Sequence, residues 1–116
     1  MKKNLGNWGE TEACRYLQRC GYHILERNFR CRLGEVDIIA KKGSVLCFVE
    51  VKTRKCLAYG LPSESVTEWK KKRIQKTMQY YLLLHQTEDM DFRMDVIEII
   101  LQGRKGYIRH IENAFS

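Results

Sequence analysis

Between Gly34 and Lys55 the sequence reads GEVDIIAKKGSVLCFVEVKTRK, two segments dense in Val and Ile separated by KKGS. Runs of this kind predict strands over residues 36–40 and 45–52. A connection this short, with Gly43 free to take a positive φ, predicts that they pair as an antiparallel hairpin. Such a hairpin must bury an apolar face, and the rest of the chain has to supply the cover. Side chains alternate along a strand, so Phe48, Glu50 and Lys52 share one face and Cys47, Val49 and Val51 share the other, which reads as core. Asp37, Glu50 and Lys52 are therefore charges placed inside strands where apolar side chains are the norm.

The flanking sequence supplies helices and further strands. Leu5, Trp8, Ala13, Tyr16, Leu17 and Cys20 fall close to helical spacing, with Glu10 among them and Gly21 at the expected C-terminal stop. Residues 22–30 read as a strand. Residues 53–65 hold the only proline and show no period, which predicts a loop. A second helix is expected over 66–85, with Val66, Trp69, Ile74, Met78, Tyr81 and Leu82 on its apolar side. Strands over 93–101 and 107–111 complete the order αβββαββ. At 116 residues, with 44% hydrophobic residues and no break in composition, the whole of 1–116 is expected to be one α/β domain.

No apolar run is long enough to span a bilayer, and MKKNLGNWGE has no apolar stretch behind its charged opening. A cytoplasmic protein that does not enter the membrane is expected. The five cysteines include no C-x-x-C pair, which suggests free thiols in place of a disulfide framework or a zinc ribbon. Lys and Arg outnumber Asp and Glu by 21 to 14, and a net charge of +7 favours a polyanionic partner: DNA, RNA or an anionic membrane surface.

Across the tight hairpin the Asp37 carboxylate can approach that of Glu50. Two such groups repel and raise each other's pKa unless a cation neutralises them. Carboxylate oxygens suit Mg²⁺ or Mn²⁺, with water and substrate phosphate completing the coordination. Lys52, on the face of Glu50, is placed to orient a water or to stabilise charge growing on phosphorus. The constellation has the parts needed to hydrolyse a phosphodiester. The plainer reading is that Glu-x-Lys on a strand is a solvated face.

The segments GEVDIIA and FVEVKTR resemble the PD-(D/E)xK nuclease signature of the restriction-endonuclease-like fold, with Asp37, Glu50 and Lys52 on its acidic, acidic and basic positions. The similarity continues: GNWGETEACRYLQRCGYHILERNFR resembles the G-x-x-G-E-x-x-A helix and G-Y-x-I/L-x-x-N strand of the YraN-like family of predicted endonucleases, relatives of the archaeal Holliday junction resolvases. SVTEWKKKRI, FRMDVIEI and IRHIENAF resemble that family's remaining blocks, so nearly the whole chain is covered. Met94 departs from the aromatic residue more usual at its position. The resemblance implies a mixed central sheet flanked by helices. It further implies that Asp37, Glu50 and the Val51 carbonyl bind the metal, that Glu10 helps to hold the ion or its water, and that Lys52 is the catalytic lysine. A homodimer acting on branched, flapped or single-stranded DNA is the activity implied. A module that binds nucleic acid on the same fold without cutting it is the alternative.

Other residues carry weaker expectations. Glu35 shares Asp37's face by alternation and is expected to support the site from behind, the alternative being the exposed end of the hairpin. Of the run Lys70 to Arg73, Lys70 and Arg73, three apart, are the pair that one groove could use, although such a run usually reads as a solvated face. Arg54, closing FVEVKTR, is placed with them as a phosphate contact. Asp95 could support the site or make a structural ion pair with Arg93, and the ion pair is the expectation. Trp8 and Trp69 could stack on unpaired bases, but their spacing favours core packing. His23, His85, His110 and Cys47 are assigned no chemistry.

Overall fold

The computed structural model describes residues 5–54, 67–87 and 89–114. Helix α1 (Leu5–Arg19) leads into strands β1 (His23–Cys31), β2 (Gly34–Lys42) and β3 (Val45–Arg54), then helix α2 (Glu68–Leu84) and strands β4 (Asp91–Gln102) and β5 (Lys105–Ile111). The order αβββαββ is the one expected. The five strands form one sheet in the order β1-β2-β3-β4-β5. Neighbours are antiparallel except β3 and β4, which run parallel across the crossover that contains α2. Gly43 takes a φ of 61° in the β2–β3 turn. No helix among the described residues is long and apolar enough to cross a membrane.

Each helix covers one face of the sheet. On the α1 side Ala13, Cys14 and Leu17 pack on Ile38, Ala40, Cys47, Val49, Ile97 and Ile99. On the α2 side Ile74, Met78, Tyr81 and Leu82 pack on Val36, Ile39, Leu46, Phe48 and Met94. Both faces of β3 are thus core, and Glu50 continues a row that begins with buried Phe48.

Helix α2 buries positions 74, 77, 78, 81 and 82, one apolar stripe of period 3.6. The expected start at Val66 lies outside the described residues, as does the loop from 55 to 65, whereas Thr53 and Arg54 extend β3. Thr67 caps α2, its hydroxyl accepting from the Lys70 N–H at 3.1 Å.

Core packing of Trp69 is overturned: it is 69% exposed. Five residues before Ile74 places it about 140° round the helix from the stripe. Lys70, four residues before Ile74, is the member of that turn directed at the sheet. Trp8 is also exposed, at the outer side of α1.

Candidate functional site

The β2–β3 ladder runs from Lys42↔Val45 to Ile38↔Val49 and stops there. Beyond it the Val51 N–H donates to the carboxylate Oδ2 of Asp37 at 2.8 Å. A side chain thus takes the place of a strand carbonyl, and the two strands part. The cause lies in β1 and β2. Val36 and Ile39, an odd number of residues apart, both pack toward α2, so the alternation slips once between them, at Asp37. The β1 residue between the pairs Arg27↔Ile38 and Phe29↔Val36 is Asn28, held at a φ of 55°. Asn can take this conformation at lower cost than most residues.

The parted strands open into a cavity of about 380 Å³ whose lining includes Glu10, Asp37, Glu50, Val51, Lys52 and Lys70. Glu50 is 8% exposed. Its Oε2 lies 2.6 Å from Lys70 Nζ and 3.6 Å from Lys52 Nζ. Glu10 reaches the cavity from α1, which lies so close to β3 that a Cβ on Gly9 would run into the Thr53 hydroxyl. Arg27 stands 3.8 Å from the Glu10 carboxylate.

Burial, reinforced by the charges of Glu50 and Glu10, pushes Asp37 up to about 7 against the single Val51 donor. Burial and the neighbouring Lys70 charge lower the pKa of Lys52. Burial opposes the charge on Lys70, but its bond to Glu50 outweighs this and holds its pKa above the ordinary value.

Among the described residues no group of three or more His, Cys, Asp and Glu side chains is arranged to hold a metal ion. A two-carboxylate centre does fit. Mg²⁺ and Mn²⁺ are commonly held by one or two carboxylates with water and phosphate oxygens. A half-buried Asp raised to about 7 beside a second carboxylate is a group short of positive charge.

The remaining expected residues are distributed around this cavity. Glu35 borders it, half-exposed, and pairs with Arg30 at 3.6 Å. Lys70 meets Glu50 itself, a contact its spacing from Ile74 could have revealed. Arg73 lies on α2 with its guanidinium 5.1 Å from the Trp69 ring centroid. Arg54 extends along β3 to Glu98, 3.2 Å away and fully buried. Burial raises the pKa of Glu98, with Arg109 and Arg54 pulling it back.

A second polar cluster lies on the α1 side of the sheet. Asp95 is 1% exposed and pairs with Arg93, as expected, through Nη2 and Nε at 3.0 Å. It also takes the Asn113 N–H at 3.0 Å, the Cys47 thiol at 3.1 Å and His110 Nε2 at 2.6 Å. The Tyr16 hydroxyl lies 3.0 Å from His110 Nδ1, so the imidazole links helix α1 to Asp95. Burial alone would raise Asp95, but these donors hold it well below the ordinary carboxylate range. Burial and the adjoining Asp95 push the Cys47 thiol up to about 12. His110 carried no signal in the sequence, because its partners lie far away along the chain. Of the five cysteines, Cys14, Cys20, Cys31 and Cys47 are free thiols, and Cys56 lies outside the described residues.

Comparison with known proteins gives a consistent result. A family model described as "Uncharacterised protein family UPF0102" matches residues 9–99, a span that includes Glu10, Asp37, Glu50, Lys52 and Lys70. A UPF0102 protein of Caldicellulosiruptor saccharolyticus is 44% identical over 116 residues, 98% of each chain. One from Clostridium botulinum is 49% identical over 117 residues, 98% of this chain and 95% of its own. One from Alkaliphilus metalliredigens is 44% identical over 115 residues, 99% of this chain and all of its own.

Proposed function

The chain belongs to the UPF0102 family, in keeping with its YraN-like motifs, and from that premise we propose that it is a metal-dependent endonuclease of the PD-(D/E)xK kind. Its substrate is DNA of branched, flapped or single-stranded character. The observation that carries this reading is the parted hairpin, where Asp37 and Glu50 share one cavity with Lys52. Asp37, Glu50 and the Val51 carbonyl would hold Mg²⁺ or Mn²⁺, with Glu10 acting through water. When bound, such an ion polarises the phosphate and lowers the pKa of a water.

The chain's own groups do the rest. Asp37 is tied through one oxygen to the Val51 N–H at the wall of the cavity that it lines. Lys52, with its charged form disfavoured by burial and Lys70, is suited to orienting a water and to exchanging a proton with it. Lys70 neutralises Glu50 and gives phosphate a cation to approach.

A non-cleaving nucleic-acid-binding module is the second reading. It is favoured by one contact, the 2.6 Å ion pair that already balances Glu50 without a metal. A module that only binds, however, has no use for a second carboxylate in the same cavity that repels phosphate.

The test is a cleavage assay with Mn²⁺ or Mg²⁺ over duplex, single-stranded, flap and four-way-junction DNA, comparing the wild type with Glu50→Gln. Cutting by the wild type, slowed by at least about a hundredfold in the variant, is expected. Tight binding by both proteins without cutting would give the function to the binding module.

A further inference from the structure

Next to the carboxylate cavity lies a second one, of about 440 Å³, and the two share Glu35 and Lys70 in their walls. Trp69, Arg73 and Arg30 also line it. The indole is exposed over most of its surface, with the Arg73 guanidinium beside its ring at 5.1 Å. An exposed Trp makes little contribution to a core, and the helix turn that carries this one is fixed. Thr67 caps the turn that carries it. Below it, β2 reaches α2 at Gly34, where a Cβ would come within 2.7 Å of the Thr77 hydroxyl and 3.3 Å of the Arg73 carbonyl. The strand that bears Asp37 and the helix turn that bears Trp69 and Arg73 are therefore locked at a fixed spacing.

We propose that this cavity receives an unpaired nucleobase of the strand whose phosphate enters the carboxylate site, with the base stacked on Trp69 and its phosphate between Arg73 and Lys70. The inference rests on the phosphodiesterase reading of the neighbouring cavity and names what that site selects. A base inside a duplex already has neighbours on both of its faces, whereas an unpaired one has a face to offer. The charge agrees, since Arg30 and Arg73 face the cavity against the single carboxylate of Glu35, with Lys70, already paired with Glu50, at the boundary of the two cavities. A strand with a free nucleotide beside the scissile bond would thus be preferred to an intact duplex, and the selection would come from stacking, independent of sequence.

The chain has two tryptophans, so Trp8→Phe leaves Trp69 as the only indole. This variant is titrated, in chelator so that nothing is cut, with oligonucleotides of roughly eight nucleotides made of dT or U, and with a blunt duplex. Saturable quenching of Trp69 emission by the single strands, absent with duplex, is expected. Trp69→Ala should weaken single-strand binding by about tenfold while duplex binding stays within about twofold, and Trp69→Phe should recover part of the loss. Because the side chain is exposed, the melting temperature should not move, which separates a binding defect from a folding one. Quenching by the U oligonucleotide alone would keep the stack and assign the strand as RNA. Absence of quenching by either strand, or equal losses on single strand and duplex, overturns the inference. Quenching without cleavage under Mn²⁺ would instead sink the nuclease reading and leave the stacking site standing.

Discussion

Asp37, half-buried, and Asp95, fully buried, are aspartates on one sheet, and they have opposite chemistry. Asp95 is met by Arg93, His110, the Cys47 thiol and the Asn113 N–H, so its ionised form is favoured inside the protein. Asp37 has one N–H donor and two acidic neighbours, and its ionised form is disfavoured. A carboxylate saturated with donors is a structural tie. One left short of donors, beside another carboxylate and open to a cavity, is where a cation would gain most.

That contrast can be broken most decisively at Asp95. Asp95→Ala strands Arg93 and His110 without their acid and should cost about 3–5 kcal/mol in urea unfolding. A loss below about 1 kcal/mol would mean that the cluster does not tie the fold together.

The reverse is expected at Asp37. Without divalent metal at pH 8, Asp37→Asn should stabilise the protein by roughly 1–2 kcal/mol, since it removes a carboxylate that is costly to ionise. Mn²⁺ should raise the melting temperature of the wild type and not that of the variant. Equal shifts in both proteins would remove the metal centre.

The smallest effect is in the pH dependence, where the two acids should pull in opposite directions. The folded pKa of Asp37, about 7, lies above its ordinary 3.8, so the folded state holds the proton more tightly. Its contribution therefore makes stability fall as pH rises from about 4 to about 7. The folded pKa of Asp95 lies below 3.8, so its contribution is present above that value and is lost as pH falls beneath it. Thermal melts of metal-free protein between pH 4 and pH 8 should show a downward slope that Asp37→Asn flattens by a few degrees, at about 4–8 °C per kcal/mol for domains near this size. A slope unchanged in the variant would show that Asp37 is not the group responsible.

The hairpin and its three charged residues were legible because both rest on local periods. Alternation put Glu50 and Lys52 on one face, and a short turn brought Asp37 opposite. The direction of Lys70 was legible too, four residues before the first buried position of α2, but counting the helix from Val66 placed Trp69 in the stripe instead. The slip at Asp37 was not legible, because it depends on an Asn28 backbone conformation that an asparagine permits but does not announce. Least legible was the Asp95 cluster. Its Arg93 pair is two residues away along a strand, whereas the Tyr16–His110 contact joins residues 94 apart, and no local pattern records a meeting at that separation.

The same separation has a consequence for how the molecule is made. The chain is synthesised from its N-terminus, so Tyr16 and Cys47 exist long before His110 and Asn113. Arg93 and Asp95 can find each other early, but the last donors to that acid arrive only with the final turn, where the Ala114 N–H also closes onto the Met94 carbonyl at 2.8 Å. On the ribosome, β4 must wait beside an incomplete set of partners. The sheet can be assembled as it emerges, but it can be locked only after residue 114 has cleared the exit tunnel.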